Sequence, residues 1–511
     1  MTSIIVDSHR ALTDVVPLVQ FRLAGLRGRS RRAAGVAAVV IAGLTLAAMV
    51  VPAFVPGAVD SPQAENIVVL LPTAYLAFLV ATTIALTVAS GGRELLPRDE
   101  GVAFPISPTT DHLGALLLAP LNIAWLMQAW AILGATAYVV GPSGLAAAQV
   151  TALLWLVTAT AVAQLVAWCV EWVRRGRHGL LLVRVSGVAL ALAAAGLVAT
   201  GLVTALLDRS PLWRVVLVAL SGSDGGWGRW LVGSLLLLAT GAAAVALGAG
   251  VAHGVARRPA RDESRAEGRT VSARPEPRSE LGALVRTDRA SVWRSVPLRR
   301  GLVVIALLPG SIAAAGRLEW GILPVLPGIV AAGAALLFSV NAWCLDESGA
   351  LWRESLPVRP RVMFAARVLV QLELLGLAGL LTVLVAGSRA GGAPTGAEVA
   401  SLAGTVVVVS VQVVARTMSW SVRRPFAVDL RSARAAPAPP LSMASYSAYL
   451  ALTSTLTGLL FTLTARAGGP MPALLVALPL LLLAVRRLLI TARAWETPAV
   501  RAQVVATVSV C

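Results

Sequence analysis

Lysine is absent: all 43 cationic side chains among the 511 residues are arginine. A Walker A phosphate loop needs its lysine to reach the β- and γ-phosphates, so none exists here. Schiff-base and kinase lysines are excluded on the same ground. A nucleotide-driven version of this protein must therefore have its ATP bound on another chain, and no cofactor is expected on this one. Charge of any kind is scarce, at 13% of residues against about 25% in ordinary soluble domains. Cysteine is limited to Cys169, Cys344 and Cys511, with no metal or redox spacing. The four histidines, His9, His112, His178 and His253, are scattered, so no metal site is expected. No Ser-His-Asp arrangement can be assembled from spacing, and Asp60, Glu65, Asp208 and Asp224 are too dispersed for a carboxylate cluster. The N-terminal region mixes Asp, Arg and apolar residues without a small-residue cleavage site, and so does not read as a cleavable signal peptide.

What is abundant is apolar sequence, at 57% of residues. Continuous apolar runs recur at 33–56, 67–90, 112–139, 145–172, 180–206 and 229–252, then at 300–315, 321–343, 362–387, 397–416, 445–465 and 471–490. Each reaches or approaches the roughly 20 residues that a helix needs to cross the hydrocarbon core. A membrane β-barrel would show shorter alternating segments instead. The expected fold is all-α, a polytopic transmembrane bundle of about 12 spans.

Net charge is +18, and in a soluble protein that balance would suggest nucleic acid. Here topology explains it. With the N-terminus inside, the outer segments carry only Arg209, Arg214, Arg229, Arg317, Arg389 and Arg466, leaving 37 of 43 arginines on the inner side. That is the positive-inside pattern, and an even number of spans preserves it. Both termini are then cytoplasmic, the lipid bilayer is the environment, and no nucleic-acid partner is expected. The arginine bias matches GC-rich codon usage and hence a bacterial plasma membrane.

The one long polar stretch, Ala256 to Pro297, divides the chain into a first half at 1–255, a cytoplasmic linker at 256–278 and a second half at 279–511. Each half opens with a basic segment interleaved with apolar residues. The first contains Leu18, Phe21, Leu23 and Leu26 with Arg22, Arg27 and Arg29; the second contains Leu281, Leu284, Val285, Val292 and Trp293 with Arg286, Arg289 and Arg294. Both fit amphipathic helices on the inner membrane surface, or simple juxtamembrane stop signals. An internal repeat shows in the register. Leu71-Pro72 and Leu323-Pro324 are 252 residues apart, as are Pro105–Pro108 and Pro357–Pro360, Glu94 and Asp346, and Phe104 and Leu356. Val173-Arg174-Arg175 and Val422-Arg423-Arg424 continue the series. Two six-span repeats in the same orientation place their pseudo-two-fold axis along the membrane normal.

Two inner loops hold the most informative local sequence. One carries Glu94, Asp99 and Glu100, then Phe104-Pro105-Ile106-Ser107-Pro108. The other carries Asp346 and Glu347, then Leu356-Pro357-Val358-Arg359-Pro360. In both, acids at the end of a span precede a Pro-x-x-Pro elbow, where proline ends helical pairing and stiffens the chain. Thr110 or Asp111 is placed to cap the helix that follows the first. A stiff charged elbow suits docking of a soluble partner; a conventional polar loop with prolines as helix stops is the other reading.

In these loops the chain resembles the ABC-2 type permeases, the six-span membrane subunits of ATP-binding-cassette exporters. Their pattern is an amphipathic elbow helix, two spans, and a cytoplasmic coupling loop with an acid and a Leu-Pro-Val-Ser-Pro-like sequence. The resemblance covers most of the chain as topology and only these loops as motif, and the second copy departs from it at Arg359. It implies two six-span units fused in one chain, working with a separate ATPase subunit, in two copies, that binds the ATP. It also implies that Glu94, Asp99, Glu100, Pro105, Pro108, Asp346, Glu347, Pro357 and Pro360 form the coupling loops, and that transport is export, of a hydrophobic or amphiphilic molecule.

Only Glu373 among the acids falls clearly inside a span, with Gln371 two residues before it. An ionisable group in lipid is expensive and is a functional candidate. It could contact a cationic substrate, relay a proton, or pair with an arginine such as Arg367 or Arg184. Asn122 and Gln128 in the third span could face the same path. Glu171 is spaced for an ordinary helix-surface ion pair with Arg174 and Arg175. The apolar Leu212–Leu220 could be a re-entrant hairpin or a segment packed on the bundle. The function expected is a permease subunit without enzymatic activity. The alternative is an ion-coupled secondary transporter with six plus six helices, and the third class is a membrane-embedded enzyme.

Overall fold

The computed structural model describes residues 29–88, 106–258, 275–334, 341–426 and 440–509, together with Ala11, Thr13, Asp14 and Pro17; within those ranges 122, 203–204, 207–208, 224, 276, 345 and 347–348 are not described. The described residues contain helices and no strand. They divide into two compact units, Met1–Arg261 and Asp262–Cys511.

The first unit contains α1 (Arg29–Val50), α2 (Pro62–Val88), α3 (Pro108–Leu118), α4 (Ile123–Arg174), α5 (Gly179–Thr200), α6 (Pro211–Ser221) and α7 (Trp227–Ala256). The second contains α8 (Glu280–Arg294), α9 (Val296–Ala315), α10 (Leu326–Ala334), α11 (Gly349–Glu354), α12 (Pro360–Gly387), α13 (Gly396–Arg423), α14 (Pro440–Ala465), α15 (Met471–Glu496) and α16 (Pro498–Ser509).

At 52 residues, a straight α4 would be about 78 Å long, more than twice the hydrocarbon thickness of about 30 Å. It is broken at Gly141, where φ is 68° and ψ is −170°. That left-handed φ favours glycine, and Pro142 follows without an N–H to continue the ladder. The chain folds back there. The Gln149 side chain donates to the Leu133 carbonyl at 3.0 Å, and the Trp125 indole donates to Thr160 Oγ1 at 2.9 Å. The two arms thus lie side by side and antiparallel, which separates the sequence runs 112–139 and 145–172. A 3₁₀ turn at Ala119–Leu121 further divides the first run. Its helical entry is capped by Ser107, whose hydroxyl accepts from the Thr110 N–H at 3.1 Å, with Pro108 in the first turn. The cap is therefore neither Thr110 nor Asp111: proline at the first helical position fixes the cap three residues before Thr110.

Among the described residues, seven helices are long and apolar enough to cross a membrane: Pro62–Thr87, Trp125–Arg174, Trp227–Ala256, Leu298–Ala315, Pro360–Gly387, Gly396–Arg423 and Met471–Glu496. Shorter apolar helices occupy Ala38–Phe54, Gly179–Ala194, Leu323–Ala334 and Tyr449–Ala465. Their outward faces are dominated by large aliphatic side chains, as in Leu190 at 75% exposure and Leu475 at 72%. Contiguous apolar surface on this scale is incompatible with a water-soluble monomer. It fits lipid, where helices satisfy their own backbone groups. The chain is a helical membrane protein.

The segment at Leu212–Leu220 is a short helix, α6, packed on its own unit with Leu212, Val215, Val216 and Ala219 buried. The Glu171 carboxylate pairs with Arg174 at 2.5 Å and Arg175 at 2.9 Å. The pair Leu71-Pro72 and Leu323-Pro324 occupies unlike structure: Pro72 lies inside α2, whereas Pro324 sits in a 3₁₀ turn before α10. A second proline, Pro327, follows Pro324 within one turn, which removes another backbone donor there.

In the second unit backbones approach closely through glycine. A Cβ on Gly328 of α10 would lie 2.6 Å from the Ser454 carbonyl oxygen of α14, and one on Gly458 would lie 2.9 Å from Val325 Cα. Small residues at such crossings supply the packing that stands in for a hydrophobic drive in lipid. Gly328→Ala or Gly458→Ala is expected to lower stability by about 1–3 kcal/mol through overpacking. Gly376→Ala, with open space around it, is the control that leaves the unfolding midpoint unchanged in the same thermal assay.

Candidate functional site

The second unit gathers its charges at one end. The amphipathic helix α8 begins at Ser279, whose hydroxyl accepts from the Gly282 N–H at 3.1 Å. Leu281, Leu284, Val285 and Val292 turn toward the protein, and so does Asp288, which is 1% exposed. Asp288 receives Arg353 of α11 through two bonds, Nη1 to Oδ1 at 2.6 Å and Nη2 to Oδ2 at 3.3 Å. Arg353 Nη1 also reaches Asp346 at 3.0 Å. Arg367 of α12 holds both oxygens of Asp346 at 2.6 Å and lies 3.5 Å from Asp288. Two carboxylates and two guanidinium groups therefore neutralise one another inside the protein. Each bond is charge-assisted, and the forked arginine geometry suits a carboxylate.

Around this cluster the loop is built rigidly. Asn341 donates to the Phe426 carbonyl at 2.8 Å, and the Ala342 N–H donates to Ser421 at 2.8 Å. These bonds fix the turn 341–344 to the end of α13. Trp343 then stacks on Trp495 of α15 with ring centroids 4.1 Å apart and planes 5° apart. The Arg367 guanidinium lies 5.3 Å from the Trp343 ring. Arg501 of α16 binds Glu354 at the end of α11 at 2.5 Å, and Arg361 binds Glu496. Val504 and Val508 of α16 close a small cavity lined by Trp343, Arg353, Glu354 and Trp495.

The short helix α11 is thus tied down on its inner side by Arg353 and Glu354. Its other face is bare: Leu351 is 58% exposed and Trp352 is 69% exposed, followed by exposed Ser355, Pro357 and Arg359. Pro360 opens α12 after Arg359.

The residues singled out in the sequence are distributed unevenly. Asp346 belongs to the buried cluster, so its charge is spent internally rather than offered to a docking partner. Pro357 and Pro360 both follow α11, Pro357 exposed and Pro360 at the start of α12. Glu94, Asp99, Glu100, Pro105, Glu347 and Asn122 lie outside the described residues. Pro108 opens α3, and Gln128 is half-buried on the first arm of α4. Glu373 pairs with Arg289 of α8 at 2.6 Å, so its partner is neither Arg367 nor Arg184. Arg367 is already committed to the two aspartates, and Arg184 belongs to the first unit. Gln371, on another face of α12, is 2% exposed, and neither of its amide atoms has a hydrogen-bond partner among the described residues.

Asp288, Arg353, Glu354 and Arg501 were not anticipated. One signal was available for Asp288. It occupies the apolar stripe 281, 284, 285, 288, 292 of α8, where a helix places its buried face. An acid on that stripe requires a partner.

Removing one member of the cluster strands a buried charge, a change that costs about 3–5 kcal/mol. Asp288→Asn is expected to lower the unfolding midpoint strongly, whereas Arg289→Gln, removing an exposed partner, changes it little; thermal unfolding of the two purified variants checks the order.

No known protein family, curated protein or solved structure matches this chain.

Proposed function

We propose that this chain is the membrane-spanning permease subunit of an ATP-binding-cassette transporter of the ABC-2 type, exporting a hydrophobic or amphiphilic molecule with ATP bound on a separate ATPase subunit. The single observation that carries the reading is α11. A six-residue helix at the arginine-rich end of a membrane unit is locked from behind by Asp288, Asp346 and Arg367, while it presents Leu351 and Trp352 outward. A stiff element with a bare apolar face transmits displacement; a loose polar loop absorbs it. The Pro-x-x-Pro that follows leads directly into α12, so a push on α11 reaches a long apolar helix without an intervening flexible joint.

In this reading about twelve spans form two parallel six-helix halves in a bacterial plasma membrane, with both termini cytoplasmic. The paired arginine-rich ends face two copies of the ATPase. ATP binding brings those copies together, and their motion passes through 91–111 and 344–361 to tilt the halves. The absence of lysine supports a borrowed motor.

A second reading, an ion-coupled transporter, draws on one observation: the buried amide of Gln371, without a partner among the described residues, in the same helix as Glu373. In that scheme Glu373 has to leave Arg289 during each cycle.

Two experiments test these readings. Purification of the chain from its native membrane is expected to retain a Walker A ATPase, and Leu351→Ala/Trp352→Ala is expected to abolish that retention while leaving membrane insertion intact; undiminished ATPase retention in the double variant sinks the role of α11. Glu373→Gln is expected to leave ATP-dependent transport largely unchanged, and loss of transport with an altered proton dependence would favour the second reading.

A further inference from the structure

The ends of α13, α14 and α15 carry a second group of arginines that the docking loop does not use. Arg416 lies seven residues before the end of α13, Tyr449 nine residues into α14, and Arg487 nine residues before the end of α15. At 1.5 Å per residue all three sit about 10–14 Å from the same end of the unit. That depth is within reach of the headgroup boundary for a long side chain.

The Arg416 guanidinium lies 4.6 Å from the Tyr449 ring, and its Nη1 is buried without a hydrogen-bond partner. Leu488, next to Arg487, packs against the core that contains Val413, Val414 and Met418, so α15 brings Arg487 beside the stretch of α13 that carries Arg416. Arg424 lies 4.7 Å over Trp420, whose ring is 4.9 Å from Tyr446. Tyr446 is itself fixed by a 2.8 Å bond with Thr417. Among the described residues, Arg416, Arg424 and Arg487 form no ion pair with a carboxylate. The acid nearest the end of α15, Glu496, is taken by Arg361.

Arg416 and Arg487 lie at one depth with Arg424 nearer the helix end, and like charges with no paired acid among the described residues are costly in a membrane, where such groups mark functional sites. An anion that enters between them removes the repulsion and gains forked charge-assisted bonds. The aromatic rings hold the Arg416 and Arg424 guanidinium groups in place without using their N–H donors. Beyond Tyr449 the same face of α14 continues as exposed Leu452 and Leu456, three and seven residues further on. A cationic head region followed by an aliphatic track fits an amphiphile with an acidic head and acyl chains. Basic pockets between membrane helices on the inner side are suited to acidic lipid headgroups.

We propose that Arg416, Arg424 and Arg487, framed by Trp420, Tyr446 and Tyr449, bind the phosphate of an anionic membrane lipid, with its acyl chains along Leu452 and Leu456. The site stands on the membrane character of the chain and is independent of the transporter reading.

The test uses the full chain purified in a neutral detergent. Thermal unfolding is followed with added dioleoylphosphatidylglycerol, dioleoylphosphatidylcholine or inorganic phosphate, and lipid retention is counted by native mass spectrometry. Phosphatidylglycerol is expected to raise the unfolding midpoint and remain bound where phosphatidylcholine does neither. Arg416→Gln/Arg487→Gln should weaken that retention at least about tenfold, at roughly 1 kcal/mol per arginine contact. Arg466→Gln, an exposed arginine at the other end of the unit, should leave it intact. Arg487→Glu gives Arg416 an internal partner, so this variant should stay folded in phosphatidylcholine and lose the phosphatidylglycerol effect. Equal effects of the two lipids overturn the proposal, as does full retention in the double variant. An equal midpoint rise from inorganic phosphate alone assigns the arginines to the free anion and overturns the lipid.

Discussion

Two aspartates and two arginines buried together have to neutralise one another, and that requirement organises the charged end of the second unit. Asp288 comes from the amphipathic helix α8, Asp346 from the turn after α10, Arg353 from α11 and Arg367 from α12. None of the four can be moved outward without stranding the others. A buried ion cluster is a weak source of net stability, because desolvation consumes most of the Coulombic gain. Its effect here is positional: four elements remote in sequence are held in one arrangement, and helix α11 inherits its orientation from it. The stacked Trp343 and Trp495 extend that arrangement to α15.

Several described contacts of the first unit join helices with neutral groups. His112 accepts from the Trp168 indole at 3.0 Å, and His253 meets Thr109 at 2.9 Å. Gln149 bridges the two arms of α4 and reaches the Met49 carbonyl at 3.0 Å. These bonds join helices without requiring opposite charges to meet, so they resist being torn apart less strongly. Glu171, Arg174 and Arg175 add an ion-pair group at a helix end, where the Arg175 side chain also caps the Val255 carbonyl of α7 at 3.0 Å.

Sequence patterning made the long apolar helices legible because a membrane span is a local property: about 20 apolar residues suffice to specify it. The amphipathic α8 was legible for the same reason, through its 281, 284, 285, 292 stripe. The Pro-x-x-Pro at Pro357–Pro360 was legible as a stiff lead into a helix. The ion cluster was not, because Asp288 and Arg353 are 65 positions apart and nothing local says that two charges will share one dry site. Glu373 shows the limit well. Its position inside a span was readable, but its partner Arg289 comes from an element whose depth against α12 is set by tertiary packing. The fold-back at Gly141 was legible as the gap between the runs 112–139 and 145–172, whereas the cap at Ser107 was set by the proline that follows it.

Helix α16 gives the site a timetable. Arg501, Val504 and Val508 lie downstream of every other residue around α11, so a growing chain makes Trp343, Arg353 and Glu354 long before the element that covers them. Until 498–509 have left the ribosome, Glu354 lacks its arginine and the stacked tryptophans keep one flank uncovered. Completion of this end therefore follows the synthesis of α8 to α15, and α11 receives its last restraint from the helix made after them.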